Sequence, residues 1–77
     1  MEDRIKQVMA SVFEIKVSRI DEKSSPETIA TWDSLSHMKL IIALEEEFGI
    51  RFNDDEVVEL ISYALIKSII REKVTLL

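Results

Sequence analysis

Residues 33–50 read Asp33-Ser34-Leu35-Ser36-His37-Met38-Lys39-Leu40-Ile41-Ile42-Ala43-Leu44-Glu45-Glu46-Glu47-Phe48-Gly49-Ile50. An acid stands where a helix wants its N-cap, and no Gly or Pro interrupts the run until the chain's single glycine, Gly49. That glycine is free to take the left-handed conformation that ends a helix, with Ile50 placed to fold back over the last turn. The spacing therefore predicts a helix over 34–48. At about 100° per residue, Leu40, Ile41, Leu44 and Phe48 fall on one face, the expected core face. Leu35, Met38 and Ile42 widen the apolar surface to about 220° of the circumference, more than a bundle helix buries on one flank. Some of these residues are expected to be exposed. Beside them lie Glu45, Glu46 and Lys39, making a mixed apolar and acidic strip suited to docking another protein.

Working outward, Ile5, Val8, Met9, Val12 and Phe13 follow the i, i+3, i+4, i+7, i+8 pattern of a helix that fades near Lys16 or Val17. Residues 18–33 are polar and aperiodic, with Ile20, Ile29 and Trp32 as anchors; Ser25-Pro26 reads as a cap and first position of a short helical turn. Asn53-Asp54-Asp55-Glu56 is a capping box opening a third, short helix through Val57, Val58, Leu60 and Ile61. Ser62 offers a cap to a last helix carrying Tyr63, Leu65, Ile66, Ile69 and Ile70. No segment alternates with period two. The expected fold is all-α: a small antiparallel four-helix bundle, helices about 2–16, 34–48, 54–61 and 63–73, with a long loop between the first two. The whole of 1–77 reads as one domain.

Composition narrows the function. Seventy-seven residues with 47% hydrophobic content support one thin core, because a domain of this size buries only about 60% of its unfolded surface. It leaves no space for a deep catalytic pocket, so a self-sufficient enzyme is not expected. The absence of cysteine removes disulfides and thiolate chemistry and fits a reducing cytoplasm. The longest apolar run, Leu40 to Leu44, is too short for a bilayer, and the Met1-Glu2-Asp3-Arg4 start is not a secretory signal, so a soluble cytoplasmic monomer without membrane insertion is expected. Net charge is −5, which disfavours nucleic acid. Residues 33–59 hold eight acids and two bases, a negative field able to steer a basic partner, or an ordinary solvated face.

Two local features carry chemistry. Asp33-Ser34-Leu35 puts a hydroxyl at a helix start, where free backbone N–H groups and the positive end of the dipole favour an attached phosphate. Taken alone, the tripeptide is a weak signal, since Asp or Ser before a helix is usually only a cap. Glu45, Glu46 and Glu47 stand in the last turn, where the dipole disfavours acids; they are there either for function or as helix formers that keep the surface soluble.

Asp33-Ser34-Leu35, then Met38, Leu40-Ile41, Ala43-Leu44-Glu45-Glu46-Glu47-Phe48-Gly49-Ile50 and the acidic Asp54-Asp55-Glu56, resemble the acyl carrier protein family from its modification motif through its third helix. The resemblance implies that Ser34 bears a covalent 4′-phosphopantetheine arm taken from coenzyme A, with Asp33 and Leu35 as the flanking motif. Leu35, Met38 and Ile42 match apolar positions that face partner enzymes, and Glu45 and Glu46 match acids that pair with basic patches. The implied partners are a phosphopantetheinyl transferase, which uses magnesium, and acyl-loading and acyl-transferring enzymes; the carrier itself is not catalytic. Trp32 stands where fatty-acid carriers commonly have Gly, Ser36 replaces a frequent acid, and Lys39 reverses a usual Glu. These departures make the partner surface less acidic than in the housekeeping carrier of fatty-acid synthesis. The expected role is a stand-alone carrier of acyl intermediates in a fatty-acid-like, polyketide or specialised lipid pathway, with a peptidyl or aminoacyl carrier of a nonribosomal-peptide-type pathway as the alternative.

Trp32 and His37 are read as structural, the first a core anchor and the second a partly buried, hydrogen-bonded ring. Asp54, Asp55, Glu56 and Glu59 lack the pattern of a calcium loop, so no metal site is expected. The competing functions are an unmodified helical adaptor, in which Ser34 only caps, and a serine hydrolase, which lacks a base and an oxyanion site.

Overall fold

The computed structural model describes residues 1–75. Four helices appear: α1 over Glu2–Phe13, α2 over Ser34–Phe48, α3 over Asp54–Glu59 and α4 over Tyr63–Thr75, with a 3₁₀ turn at Val17–Arg19. No strand occurs among the described residues, and the all-α expectation holds. The N-terminal Arg4 of α1 reaches Glu47 at the end of α2, while Phe13 at the end of α1 stacks on Trp32 before α2. These contacts make α1 and α2 antiparallel. Glu56 in the first turn of α3 meets Lys73 near the end of α4 at 2.8 Å.

The core follows the predicted faces. Ile5, Met9 and Phe13 of α1 meet Leu40, Ile41 and Leu44 of α2, and α4 adds Tyr63, Ile66 and Ile70. The long loop contributes Ile20, Ile29 and Trp32, all buried. Phe48, expected in the core, is only half-buried, because it ends α2 under the guanidinium of Arg4, 4.7 Å from its ring centroid.

Three boundaries differ from the sequence reading. The first helix stops at Phe13 rather than near residue 16: Glu14 turns left-handed (φ 58) and the Ile15 N–H returns to Ala10 O at 3.1 Å. That closure tucks Ile15 against the core and is the counterpart of the one at the end of α2, where Gly49 (φ 64) is followed by Ile50 N–H on Glu45 O. The third helix stops at Glu59 rather than Ile61. Leu60 (φ −79, ψ 59) is the centre of an inverse γ-turn, with the Ile61 N–H on Glu59 O at 2.8 Å. The turn drives Leu60 into the core and throws Ile61 out. The fourth helix runs to Thr75, two residues beyond expectation.

The long loop is tied down at both ends. Ser25 O accepts from the Thr28 and Ile29 N–H groups and Ser25 Oγ from Glu27 N–H, giving the expected single helical turn at Ser25-Pro26. Thr31 Oγ1 donates to Phe13 O at 2.7 Å, satisfying a carbonyl orphaned by the end of α1. Buried Ser24 accepts the Tyr63 N–H on its carbonyl, fixing the start of α4.

The two left-handed ends make opposite predictions. Gly49→Ala meets no atom within 4 Å but must hold φ near +64°, so it should cost about 1 kcal/mol. Glu14→Gly relieves the same strain and should gain up to about 1 kcal/mol. Urea unfolding of both variants measures the pair; a loss of stability in Glu14→Gly would contradict the account.

Candidate functional site

The site is the first turn of α2 and the surface beside it. Asp33 adopts extended backbone, and its Oδ1 accepts the Ser36 N–H at 2.8 Å. The His37 N–H takes Asp33 O. With those two donors satisfied, the N–H groups of Ser34 and Leu35 are the free ones of the turn. Ser34 is exposed, and its hydroxyl makes no hydrogen bond to any described residue. The cap thus presents a hydroxyl and two unpaired N–H groups at the positive end of a helix of fifteen residues. The Ser36 N–H holds the Asp33 carboxyl below its ordinary 3.8, so the cap persists as a carboxylate in mild acid.

Leu35 (67%), Met38 (49%) and Ile42 (54%) are all well exposed, the surplus predicted from the helical angles. The three acids that follow separate into different roles. Glu47 pairs with Arg4 through two bonds of 2.8 and 3.0 Å. Glu45 is half-buried, and its Oε2 accepts the Phe52 N–H at 2.9 Å, tying the end of α2 to the segment before α3. Glu46 is exposed and makes no ion pair with a described residue. Two acids that oppose the helix dipole are therefore offset by partners 43 and seven residues away.

Behind the first turn sits a polar bridge built on aromatic packing. Trp32 is buried and stacks on Phe13 with ring centroids 4.8 Å apart. Its Nε1–H donates to His37 Nδ1 at 3.0 Å, and His37 Nε2 lies 2.7 Å from Val57 O. An indole can only donate and a carbonyl can only accept, so the histidine proton is assigned to Nε2, donated to Val57 O. His37 is the half-buried, hydrogen-bonded ring expected, but both ring nitrogens are engaged and it bridges α2 and α3, a role that spacing in the sequence does not reveal. On the outer side of the bridge, Trp32 and His37 form part of the wall of an open and mainly apolar groove, lined further by Pro26, Asp33, Ser34, Met38, Val58 and Ile61. Sequence reasoning missed Val58 and Ile61 as surface residues, since both fit the periodicity of a buried α3.

A family model described as the phosphopantetheine attachment site matches residues 3–70. The chain belongs to the acyl carrier protein family. It is 36% identical over 56 residues to the acyl carrier protein of Buchnera aphidicola subsp. Schizaphis graminum (strain Sg), covering 73% of this chain and 71% of that protein. It is 39% identical over 56 residues to the acyl carrier protein of Buchnera aphidicola subsp. Acyrthosiphon pisum (strain Tuc7), covering 73% and 70%. Membership implies a covalently attached 4′-phosphopantetheine. Among the described residues no helix of this carrier is long and apolar enough to cross a membrane, and no group of three or more His, Cys, Asp or Glu could hold a metal ion. Of the acidic quartet at α3, Glu56 is taken by the Asn53 N–H and Lys73.

The cap gives a pH prediction with a definite sign. Because the carboxyl of Asp33 titrates lower in the folded carrier than unfolded, its stabilising effect is complete above the ordinary carboxylate range and fades as pH falls through the depressed value. Asp33→Asn keeps an acceptor for the Ser36 N–H but has no charge to lose. It should flatten the acid limb of a stability profile measured by urea unfolding between pH 3 and 7, with a neutral-pH midpoint below that of wild type and little difference between the two at the acid end.

Proposed function

We propose that Ser34 is the phosphopantetheine attachment residue and that this carrier serves a dedicated polyketide, peptide or modified-lipid route. The observation that carries the reading is the exposed Ser34 hydroxyl, without a partner in the described chain, at a capped helix start with two free N–H groups. These groups fit a phosphodiester: Oγ attacks the pantetheine-bearing phosphorus of coenzyme A as its proton leaves, the pyrophosphate P–O bond breaks and adenosine 3′,5′-bisphosphate departs, and the Ser34 and Leu35 N–H groups are the donors left for the new negative charge. When attached, 4′-phosphopantetheine supplies a terminal thiol that holds acyl groups as thioesters, in a chain that has no cysteine. The protein's own part is to root the arm and present it; chemistry takes place in the partners' active sites, where tethering raises the local concentration of the cargo.

Leu35, Met38 and Ile42 form the docking strip, with Glu46 and the outer oxygen of Glu45 to meet basic patches on the phosphopantetheinyl transferase and on loading and transferring enzymes. Exposed apolar side chains ringed by acids support fast, weak, steered association, which a carrier passed between enzymes requires. Lys39 on the same helix tempers the acidic surface, which supports partners other than those of housekeeping fatty-acid synthesis.

Incubating the apo-protein with coenzyme A, magnesium and a promiscuous transferase should add one phosphopantetheine to wild type and nothing to Ser34→Ala, read by intact mass. Equal gains in both would place the arm elsewhere; no gain in either would favour an unmodified adaptor. Glu46→Lys should weaken turnover with the cognate enzymes at unchanged stability. Glu45→Lys should do so while also lowering the urea midpoint, because the Phe52 N–H loses its acceptor.

A further inference from the structure

An acyl chain on the terminal thiol of an arm rooted at Ser34 has two apolar destinations within the arm's reach. One is the interior, where Leu40, Leu44, Leu60 and Ile66 are completely buried; the other is the open groove whose wall includes Ser34 itself. The route inward beside Ser34 runs between α2 and α3, and the Trp32–His37–Val57 bridge crosses that seam one helical turn from the attachment point. Passage would break both hydrogen bonds and leave an indole N–H and a carbonyl without partners in an apolar setting. It would also displace Trp32, which fills the space behind the seam against Phe13. The seam is held further along as well, by the Phe52 N–H on Glu45 and by buried Leu60. The groove asks for none of this. Val58 (73%) and Ile61 (53%) stand exposed there opposite Met38, continuous with the Ser34 side chain.

We propose that His37, backed by Trp32, is a cargo-positioning latch: it shuts the α2–α3 seam, so that the acyl chain lies outside along Met38, Val58 and Ile61 instead of entering the bundle. The inference rests on Ser34 as the root of the arm. It makes His37 a specificity-determining residue of the carrier, because an external chain leaves its thioester open to any nucleophile whatever the chain length, whereas an internal one is shielded more as it lengthens.

The test loads wild type, His37→Ala, Trp32→Phe and His37→Gln with acetyl or octanoyl arms from the matching acyl-coenzyme A and locates the arm by tandem mass. Thioester cleavage by hydroxylamine is then timed and normalised to the free acyl-pantetheine. In wild type the two acyl groups should react within about twofold of each other. In His37→Ala the octanoyl thioester should become at least tenfold slower than the acetyl. Trp32→Phe keeps a ring on Phe13 but removes the donor and should move the same way, which covers a failure of His37→Ala to fold. His37→Gln retains a donor for Val57 O and should restore the wild-type ratio. A shielded octanoyl thioester in wild type, or no chain-length effect in the folded latch variants, overturns the latch. An arm found on a residue other than Ser34, or no loading at all, overturns the attachment reading instead.

Discussion

Trp32 is where four parts of this small molecule are joined. Its ring lies on Phe13, the last residue of α1; its backbone N–H returns to Ile29 O, closing the long loop; and its indole N–H reaches His37 in α2, which continues to the backbone of α3. A chain of 77 residues has little core to spare, and a loop from 20 to 33 is costly to order. One large side chain that is both apolar body and hydrogen-bond donor fixes the loop and the entry of α2 at once. Since Asp33 and Ser34 follow it directly, the geometry of the first turn of α2 depends on that anchor.

Features decided within a few residues were legible in the sequence. The Asp33 cap, the Asn53–Glu56 capping box, the Ser62 cap and the Gly49 end all use partners within four residues, so their chemistry is visible in the string. The width of the apolar face on α2 likewise exposed Leu35, Met38 and Ile42 in advance, because helical angles are a local property. The end of α1 was hidden: Glu14 takes a conformation that glycine normally supplies, for the benefit of placing Ile15, and nothing in its side chain announces it. The inverse γ-turn at Leu60 was hidden for the same reason, as a residue that fits a helical period was used to turn a corner.

The acids at the end of α2 show how tertiary contacts redistribute a signal that the sequence presents as one unit. Three consecutive glutamates against the helix dipole read as a single anomaly, open to a functional or a bland explanation. In the fold Glu47 belongs to Arg4, across 43 residues, and Glu45 belongs to the Phe52 N–H. Glu46 alone is left facing solvent without an ion-pair partner among the described residues. The charge-charge contacts are at the surface and individually weak, yet they decide which acid is free to meet another protein. The same reasoning applies to His37, whose partners lie five and twenty residues away: its hydrogen-bonded state was legible from its place on the margin of the core face, its bridging of two helices was not.

Size and function constrain each other here. A thin core built on Phe13, Tyr63 and aliphatic side chains depends on close packing, since even a methyl-sized void in such an interior is felt. A carrier that opened this interior to its cargo would have to exchange core packing for acyl contacts on every loading and unloading. The proposed placement of the cargo at the surface would separate the two demands: the bundle would stay closed around Trp32, and the exposed apolar residues of α2 and α3 would be left for the arm and the partners in turn. The surplus of apolar residues on α2, which core packing alone does not require, is what that proposed division of labour would require.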